Sequence, residues 1–435
     1  MKRKSAMPQR LEITPVLGPV DGAVRPPGSK SITNRALVCA ALADGPSELR
    51  GALASDDTAV MIDSLQRLGI AVSHHEAAAK ISVHGCAGRI PSRGAELCIG
   101  NSGTTIRFLA AVCALGEGTF RLDGVPRMRE RPIGDLVAAL GQLGINIQAE
   151  STGGCPPIVI HAQGMPGGSV IVRGDVSSQF LSGLLLAAPC AAAPLSIQVE
   201  GTLVSKPYVE MTLNVMRAFG VVVESCGDGN YQIDAPQKYR AVTYNIEPDA
   251  SAASYFWAAA AMTRGRVKVE GLSLGSMQGD VRFCDCLAQM GCRVQYETDS
   301  ITVEGRPLHG IDVDMNAISD TVQTLSVVAL LADGPTTIRG IAHIRHKETD
   351  RIGNLAIELR KLGATVDVLA DGLRITPDRL HGAEIETYDD HRMAMSFALA
   401  GLVQSSVVIN NPGCTAKTYP RYFDDLAQLT GTRPA

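Results

Sequence analysis

Runs of small apolar residues alternate along the chain with amphipathic stretches, and the alternation is periodic. Five amphipathic patterns close on an apolar residue followed by glycine: Leu68-Gly69, Leu143-Gly144, Phe219-Gly220, Met290-Gly291 and Leu362-Gly363, spaced 75, 76, 71 and 72 residues apart. Glycine just past a helix adopts the left-handed conformation without a Cβ penalty, so each pair predicts a helix end. A second marker keeps the same beat. A hydroxyl or carboxylate residue opens a small-residue helix at Ser31, Ser102, Ser177, Ser251, Ser319 and Asp389, with gaps of 71, 75, 74, 68 and 70. Between the markers each unit reads as helix, strand, polar loop, amphipathic helix and two strands. Six units in phase predict an α/β repeat architecture.

The ends of the chain qualify this picture. The sixth unit runs out at Leu429 to Gly431 without its strand pair, whereas strand-like segments, Leu11 to Val16 and Val20 to Val24, precede the first helix. The N-terminal strands are expected to complete the C-terminal repeat. That makes one domain discontinuous, built from both chain ends, with the first three repeats inserted as the other.

The chain has 435 residues, enough for two to three domains at roughly 150 each. Its net charge of −4, with no long basic tract, argues against a dedicated nucleic-acid binder but leaves room for a local basic cleft. Eleven cysteines include no CxxC pair, and Cys284, Cys286 and Cys292 lack a second cluster at zinc spacing; no metal site is expected. Such thiols fit a reducing cytoplasm as buried small hydrophobes. The start, MKRKSAMPQR, is basic but no apolar segment follows, so it does not read as a secretory signal. The most apolar stretch, 181–195, is broken by Pro189 and Pro194 and is too short to cross a membrane.

The polar residues that a core does not need fall at two places in the repeats. One is the start of the first helix: Pro27 to Ser31 with Asn34 and Arg35, Gly100 to Thr105, Ser177 to Gln179, Ser319-Asp320, and Asp389 to Arg392. The other is the loop before the second helix: Pro126 to Pro132, Ser205 to Tyr208, His346 to Arg351, and Thr415 to Tyr419. Equivalent positions in a repeat lie on one side of a domain, so two facing domains would gather these residues around one interdomain cleft. Helix N-termini, bidentate arginines and compact lysines all suit oxyanions. Lys30, Arg35, Arg127, Arg131, Lys347, Arg351, Arg392 and Lys417 therefore predict a substrate with several negative charges. Asp320 and Glu348, carboxylates among cations, are the acid/base candidates, with cationic neighbours favouring the ionised form. Each serine also has a plain reading as an N-cap, Arg129, Glu130 and Arg345 read as solvated, and the P-loop pattern GxxxxGK[ST] is absent.

In this order, the segments PPGSKSITNRAL, GNSGTTIRF, PRMRERPIG, VSSQF, VSKPY, KETDR, DDHRMAM and CTAKTYP resemble the 5-enolpyruvylshikimate-3-phosphate synthases, over nearly the whole chain. The resemblance implies an inside-out, barrel-like α/β fold of two domains, each of three βαβαββ repeats. The crossings fall near Pro27 and Glu247, so that 1–27 and 248–435 form one domain and 28–247 the other. It implies enolpyruvyl transfer from phosphoenolpyruvate to the 5-hydroxyl of shikimate 3-phosphate, with no metal or organic cofactor, by a cytoplasmic monomer. By the same resemblance, Lys30, Ser31, Arg35, Ser177, Ser178, Gln179, Ser205, Asp320 and Lys347, with Tyr208 nearby, would hold shikimate 3-phosphate. Lys30, Gly103, Arg127, Gln179, Arg351, Arg392 and Lys417 would hold phosphoenolpyruvate, and Asp320 and Glu348 with Lys30 would move protons.

Two departures stand out: His343 where the family often has Asn, and Phe108 where many members have Pro. The UDP-N-acetylglucosamine enolpyruvyl transferases are the nearest rival, but they place a cysteine in the arginine-rich loop and Met128 to Pro132 has none. A non-catalytic phosphometabolite binder would not need Asp320 and Glu348. A nucleic-acid end-processing enzyme of related fold would want a broader basic surface.

Overall fold

The structure, a computed structural model, describes residues 7–227 and 229–432. The basic start, residues 1–6, lies outside the described residues. The chain divides into two compact units, Met1–Pro27 with Pro248–Ala435, and Gly28–Glu247.

Each unit is organised around helices that are buried on nearly every side, as helices enclosed by their own domain are. In the Gly28–Glu247 unit these are Lys30–Leu42, Gly103–Cys113 and Ser178–Ala187; all eleven residues of Gly103–Cys113 are buried. In the other unit they are Ala250–Thr263, Val322–Val328 and His391–Gly401. The second helix of each repeat is amphipathic instead. Asp56–Arg67, for example, turns Asp57, Met61 and Leu65 inward at four-residue spacing and leaves Arg67 outside. The glycines that end these outer helices all have positive φ, from 67° at Gly431 to 111° at Gly291.

The sheets repeat one plan. A strand enters beside a parallel partner, which pairs on its other side with the second strand of an antiparallel hairpin, and the hairpin's first strand forms the edge. Gly94–Cys98, Glu117–Asp123, Ile158–Gln163 and Asn146–Ala149 follow this order, as do Gly168–Arg173, Leu195–Glu200, Asn230–Ile233 and Glu224–Ser225. In the other unit Asp312–Asp314, Thr336–Arg339, Leu373–Thr376 and Thr365–Val368 repeat it.

The N-terminal strands correct one expectation. Arg10–Ile13 pairs antiparallel with Val407–Asn410, supplying the last repeat with its third strand. Asp21–Val24 does not join it; it lies parallel to Arg266–Glu270 in the fourth repeat. That repeat lacks its own entering strand, because Thr243–Asn245 pairs with Asp44–Arg50 in the first. An open edge beside Arg266–Glu270 would leave a row of unpaired backbone groups, and Asp21–Val24 satisfies them.

Candidate active site

Helix caps aim the polar residues, and several sit one or two positions from where the sequence pattern put them. Ser29, extended at φ −60° and ψ 121°, caps Lys30–Leu42 by accepting from the Ile32 N–H at 3.5 Å. Ser31 is thus inside the helix rather than its cap, because a capping oxygen hangs from an extended residue and reaches an N–H two or three positions on. Likewise Asp249, not Ser251, caps Ala250–Thr263, and Asp390, not Asp389, caps His391–Gly401. Ser102 and Ser177 are caps, accepting from the N–H groups of Thr105 and Gln179. Ser319 lies within the 3-10 turn Asn316–Thr321.

In the Gly28–Glu247 unit the candidate residues fall into local groups. Lys30 lies 3.5 Å from the buried carboxylate of Asp57. Arg35, only 1% exposed, donates to Thr212 Oγ1 at 2.7 Å and to the carbonyls of Ser31 and Tyr208 at 2.9 and 3.1 Å. Its guanidinium also lies over the rings of Phe108 and Tyr208, at 5.2 and 5.9 Å. Burial lowers its pKa to about 10. Three of its donor bonds are thereby committed to scaffold rather than ligand. Phe108 is accommodated as the floor under this arginine.

A second group surrounds Gly103. Arg107 donates to Gln179 Oε1 at 2.8 Å and to the Pro132 carbonyl at 3.2 Å, while Gln179 Nε2 reaches Thr104 Oγ1 at 3.3 Å. Arg131 donates to the carbonyl and side-chain oxygens of Asn101 at 3.0 and 3.2 Å. A Cβ at position 103 would stand 2.4 Å from Arg131 Nη2 and 2.8 Å from Arg107 Nη1, so glycine is what lets two guanidiniums crowd this helix start. Arg127 is more open and pairs with Glu130 at 2.8 Å. Ser205 holds φ 51° ahead of the Lys206–Ala218 helix that carries Tyr208, and both Ser178 and Ser205 are buried.

The Pro248–Ala435 unit brings six of the candidates into one buried ionic cluster. Asp320 Oδ1 accepts from Lys347 Nζ and Arg351 Nη1, both at 3.2 Å, and its Oδ2 accepts from Arg392 Nη2 at 2.7 Å. Asp320 therefore faces three cations instead of capping a helix. Glu348 lies 2.8 Å from Arg351 Nη2 and 3.8 Å from Lys417 Nζ. Asp390, which the sequence reading did not single out, chelates Arg351 through Nε at 2.7 Å and Nη2 at 3.1 Å. Four cations thus meet three carboxylates, a surplus of positive charge suited to an anionic ligand.

The electrostatics follow from crowding. Burial works to lower the Arg351 pKa, but Asp390, Glu348 and Asp320 outweigh it and hold the guanidinium above its usual range. Lys347 is lowered by burial and by Arg351, against the pull of Asp320. His343 drops to about 3 through burial and the Lys347 charge. His391, 1% exposed, falls well below its ordinary value, first by burial and then by Arg392. Both shifts favour the neutral imidazole. Asp350, in contrast, accepts from the Ile352 and Gly353 N–H groups at 3.0 Å each and pairs with Arg345, which is a structural role.

Sequence reasoning missed Asp57, Arg107 and Asp390. Asp57 could have been found from its place on the apolar stripe with Met61 and Leu65, where a carboxylate needs a partner. The cysteine triplet behaves as expected of core residues: Cys284, Cys286 and Cys292 are buried thiols whose pKa values burial raises. Among the described residues, no helix is long and apolar enough to cross a membrane.

The family described as EPSP synthase (3-phosphoshikimate 1-carboxyvinyltransferase) matches residues 16–426. The 3-phosphoshikimate 1-carboxyvinyltransferase of Nostoc punctiforme is 49% identical over 420 residues, covering 96% of this chain and 99% of that protein. The chloroplastic protein of the same name from Arabidopsis thaliana is 46% identical over 430 residues, covering 94% of this chain and 83% of its own. Among solved structures, EPSP synthase from Acinetobacter baumannii aligns with a TM-score of 0.82 at 26% identity, over 98% of this chain and 99% of that one.

Proposed function

The chain belongs to the EPSP synthase (3-phosphoshikimate 1-carboxyvinyltransferase) family, and from that premise we propose what each clustered residue does. The reaction moves the enolpyruvyl group of phosphoenolpyruvate onto the 5-hydroxyl of shikimate 3-phosphate and releases phosphate, by addition and elimination through a tetrahedral intermediate.

The observation that carries the assignment is the Asp320 carboxylate among Lys347, Arg351 and Arg392. In the addition step the methylene carbon of phosphoenolpyruvate gains a proton, the acceptor oxygen bonds to the neighbouring carbon, and the hydroxyl proton passes to Asp320. In the elimination the carbon–oxygen bond to phosphate breaks and the methyl group returns a proton, restoring the vinyl group. Glu348 and Lys30 handle the proton at that carbon. Arg127, Arg351, Arg392 and Lys417, with Gly103, Gln179 and Lys30, hold the carboxylate and phosphate of the donor as charge moves between them. Lys30, Ser31, Arg35, Ser177, Ser178, Gln179, Ser205, Tyr208, Asp320 and Lys347 serve shikimate 3-phosphate. Within that set Arg35 supports the site by fixing Ser31 and Tyr208, since its own donors are largely committed to them.

We place the enzyme in a reducing cytoplasm as a monomer. Eleven free cysteines support the compartment, and exposed large apolar side chains that occur singly along the chain, such as Leu17, Val222 and Leu274, support the monomer. Phosphate release from phosphoenolpyruvate, with shikimate 3-phosphate in one reaction and UDP-N-acetylglucosamine in another, tests the acceptor. Release with shikimate 3-phosphate alone is expected; release with the UDP-sugar alone would overturn it.

A further inference from the structure

Just before the helix that carries Arg392, two consecutive non-glycine residues adopt left-handed backbone conformations, Tyr388 at φ 51° and Asp389 at φ 56°. Asp tolerates that region, but for a side chain as bulky as Tyr it is strained and persists only where surrounding structure enforces it. The enforcing group is Glu358. Its carboxylate, fully buried, accepts from the Tyr388 hydroxyl at 2.7 Å and the Glu386 N–H at 3.0 Å, with Lys361 as counter-ion at 2.8 Å. Asn411 adds a bond to Asp389 at 3.2 Å.

Glu358 stands in the last turn of Gly353–Lys361, where a carboxylate opposes the helix dipole and its i,i+3 pair with Lys361 offsets that cost without accounting for the bonds to 386 and 388. Its position relative to Arg351 accounts for them. Arg351 lies two residues ahead of the same helix, seven residues before Glu358. From the residues just ahead of this helix Arg351 grips Asp390; from its last turn Glu358 grips the backbone and side chain of 386–388. The helix and the residue that leads into it thus hold the turn at two points, and that turn delivers Asp390 to Arg351 and Arg392 to Asp320.

We propose that Glu358 and Tyr388 form a positioning clamp that sets the Arg351–Asp390–Arg392 geometry and thereby the affinity of the phosphoenolpyruvate site. The inference rests on the assignment of Arg351 and Arg392 to that substrate. Neither clamp residue touches the ionic cluster in its own right; both act through the turn.

The test compares Glu358→Gln, which keeps the shape and removes the charge, with Tyr388→Phe, which removes one hydroxyl from a partly exposed ring. Arg351→Ala serves as reference. Each clamp variant is expected to raise KM for phosphoenolpyruvate about five- to tenfold while kcat and KM for shikimate 3-phosphate stay within about twofold. The double variant should be no worse than Glu358→Gln alone, because the Tyr388 hydroxyl acts on the turn only through the Glu358 carboxylate. A purely structural role would lower kcat in proportion to folded protein and leave both KM values unchanged, which would overturn the proposal. If Arg351→Ala weakens phosphoenolpyruvate and both clamp variants match the parent, the clamp alone falls. If Arg351→Ala leaves that KM unchanged, the site assignment falls and takes the clamp with it. Tyr388→Phe keeps the test decisive should Glu358→Gln fold poorly.

Discussion

Arg392 Nη2 donates to Asp320 Oδ2 at 2.7 Å, while Lys347 and Arg351 share the other carboxylate oxygen. A carboxylate so placed can take a proton from a hydroxyl while its cations remain to hold anionic substrate. Asp320→Asn keeps the shape and deletes the charge, leaving the three cations in surplus. We expect kcat to fall by about 10²–10⁴ with no rise in KM for phosphoenolpyruvate. Steady-state phosphate release gives both constants, and a near-parent kcat would remove Asp320 from proton transfer.

Glu348 lies between Arg351 at 2.8 Å and Lys417 at 3.8 Å. Assigned to the methylene carbon, it controls how fast that carbon trades protons with solvent. Glu348→Gln should lower kcat by about 10²–10³ and slow deuterium entry into the vinyl group in heavy water to match. Proton NMR of the product measures the incorporation directly. Undiminished exchange alongside a low kcat would place Glu348 elsewhere in the reaction.

Arg35 ties two helix starts together through Thr212, the Ser31 carbonyl and the Tyr208 carbonyl, between two aromatic rings. Lysine carries the charge but cannot copy the planar fork. Arg35→Lys should lower the thermal midpoint by about 5–10 °C, from two or more buried hydrogen bonds left unmade. Calorimetry checks this, and an unchanged midpoint would mean the buried network contributes little.

The repeats were legible because their signals are local. Glycine at Gly69, Gly144, Gly220, Gly291 and Gly363 is the inexpensive solution to a left-handed residue after a helix, and each has the positive φ that the pattern implies. The cationic cluster was legible for a related reason: Arg351 and Lys417 stand in equivalent loops before a second helix and Arg392 at the start of a first helix, places where a core has no use for charge. What stayed hidden depends on distance. Strand identity does not encode partner choice, so the exchange of Asp21–Val24 and Thr243–Asn245 between repeats left no mark. The caps slipped by one or two residues because SKS and DD offer adjacent oxygens, and only backbone conformation selects among them. Asp390 was in view as the second of two carboxylates, but its chelation of Arg351, 39 residues away, exists only in three dimensions.

His343 gives a prediction in pH. Burial first, and the Lys347 charge second, bring its folded pKa to about 3, whereas an unfolded histidine titrates near ~6.5. The folded state therefore keeps the imidazole neutral while the unfolded state takes up a proton. This contribution is complete above about pH 6.5 and is lost as pH falls toward 3. From pH 7.5 to 5.0 the loss is on the order of 2 kcal/mol. His391 shifts the same way, so part of the acid sensitivity survives without His343. His343→Asn, which cannot titrate, should narrow the gap between thermal midpoints at pH 7.5 and 5.0 relative to the parent. Equal gaps in the two proteins would show that His343 is as easily protonated in the folded state as in the unfolded chain, and that neither its burial nor the Lys347 charge restrains it.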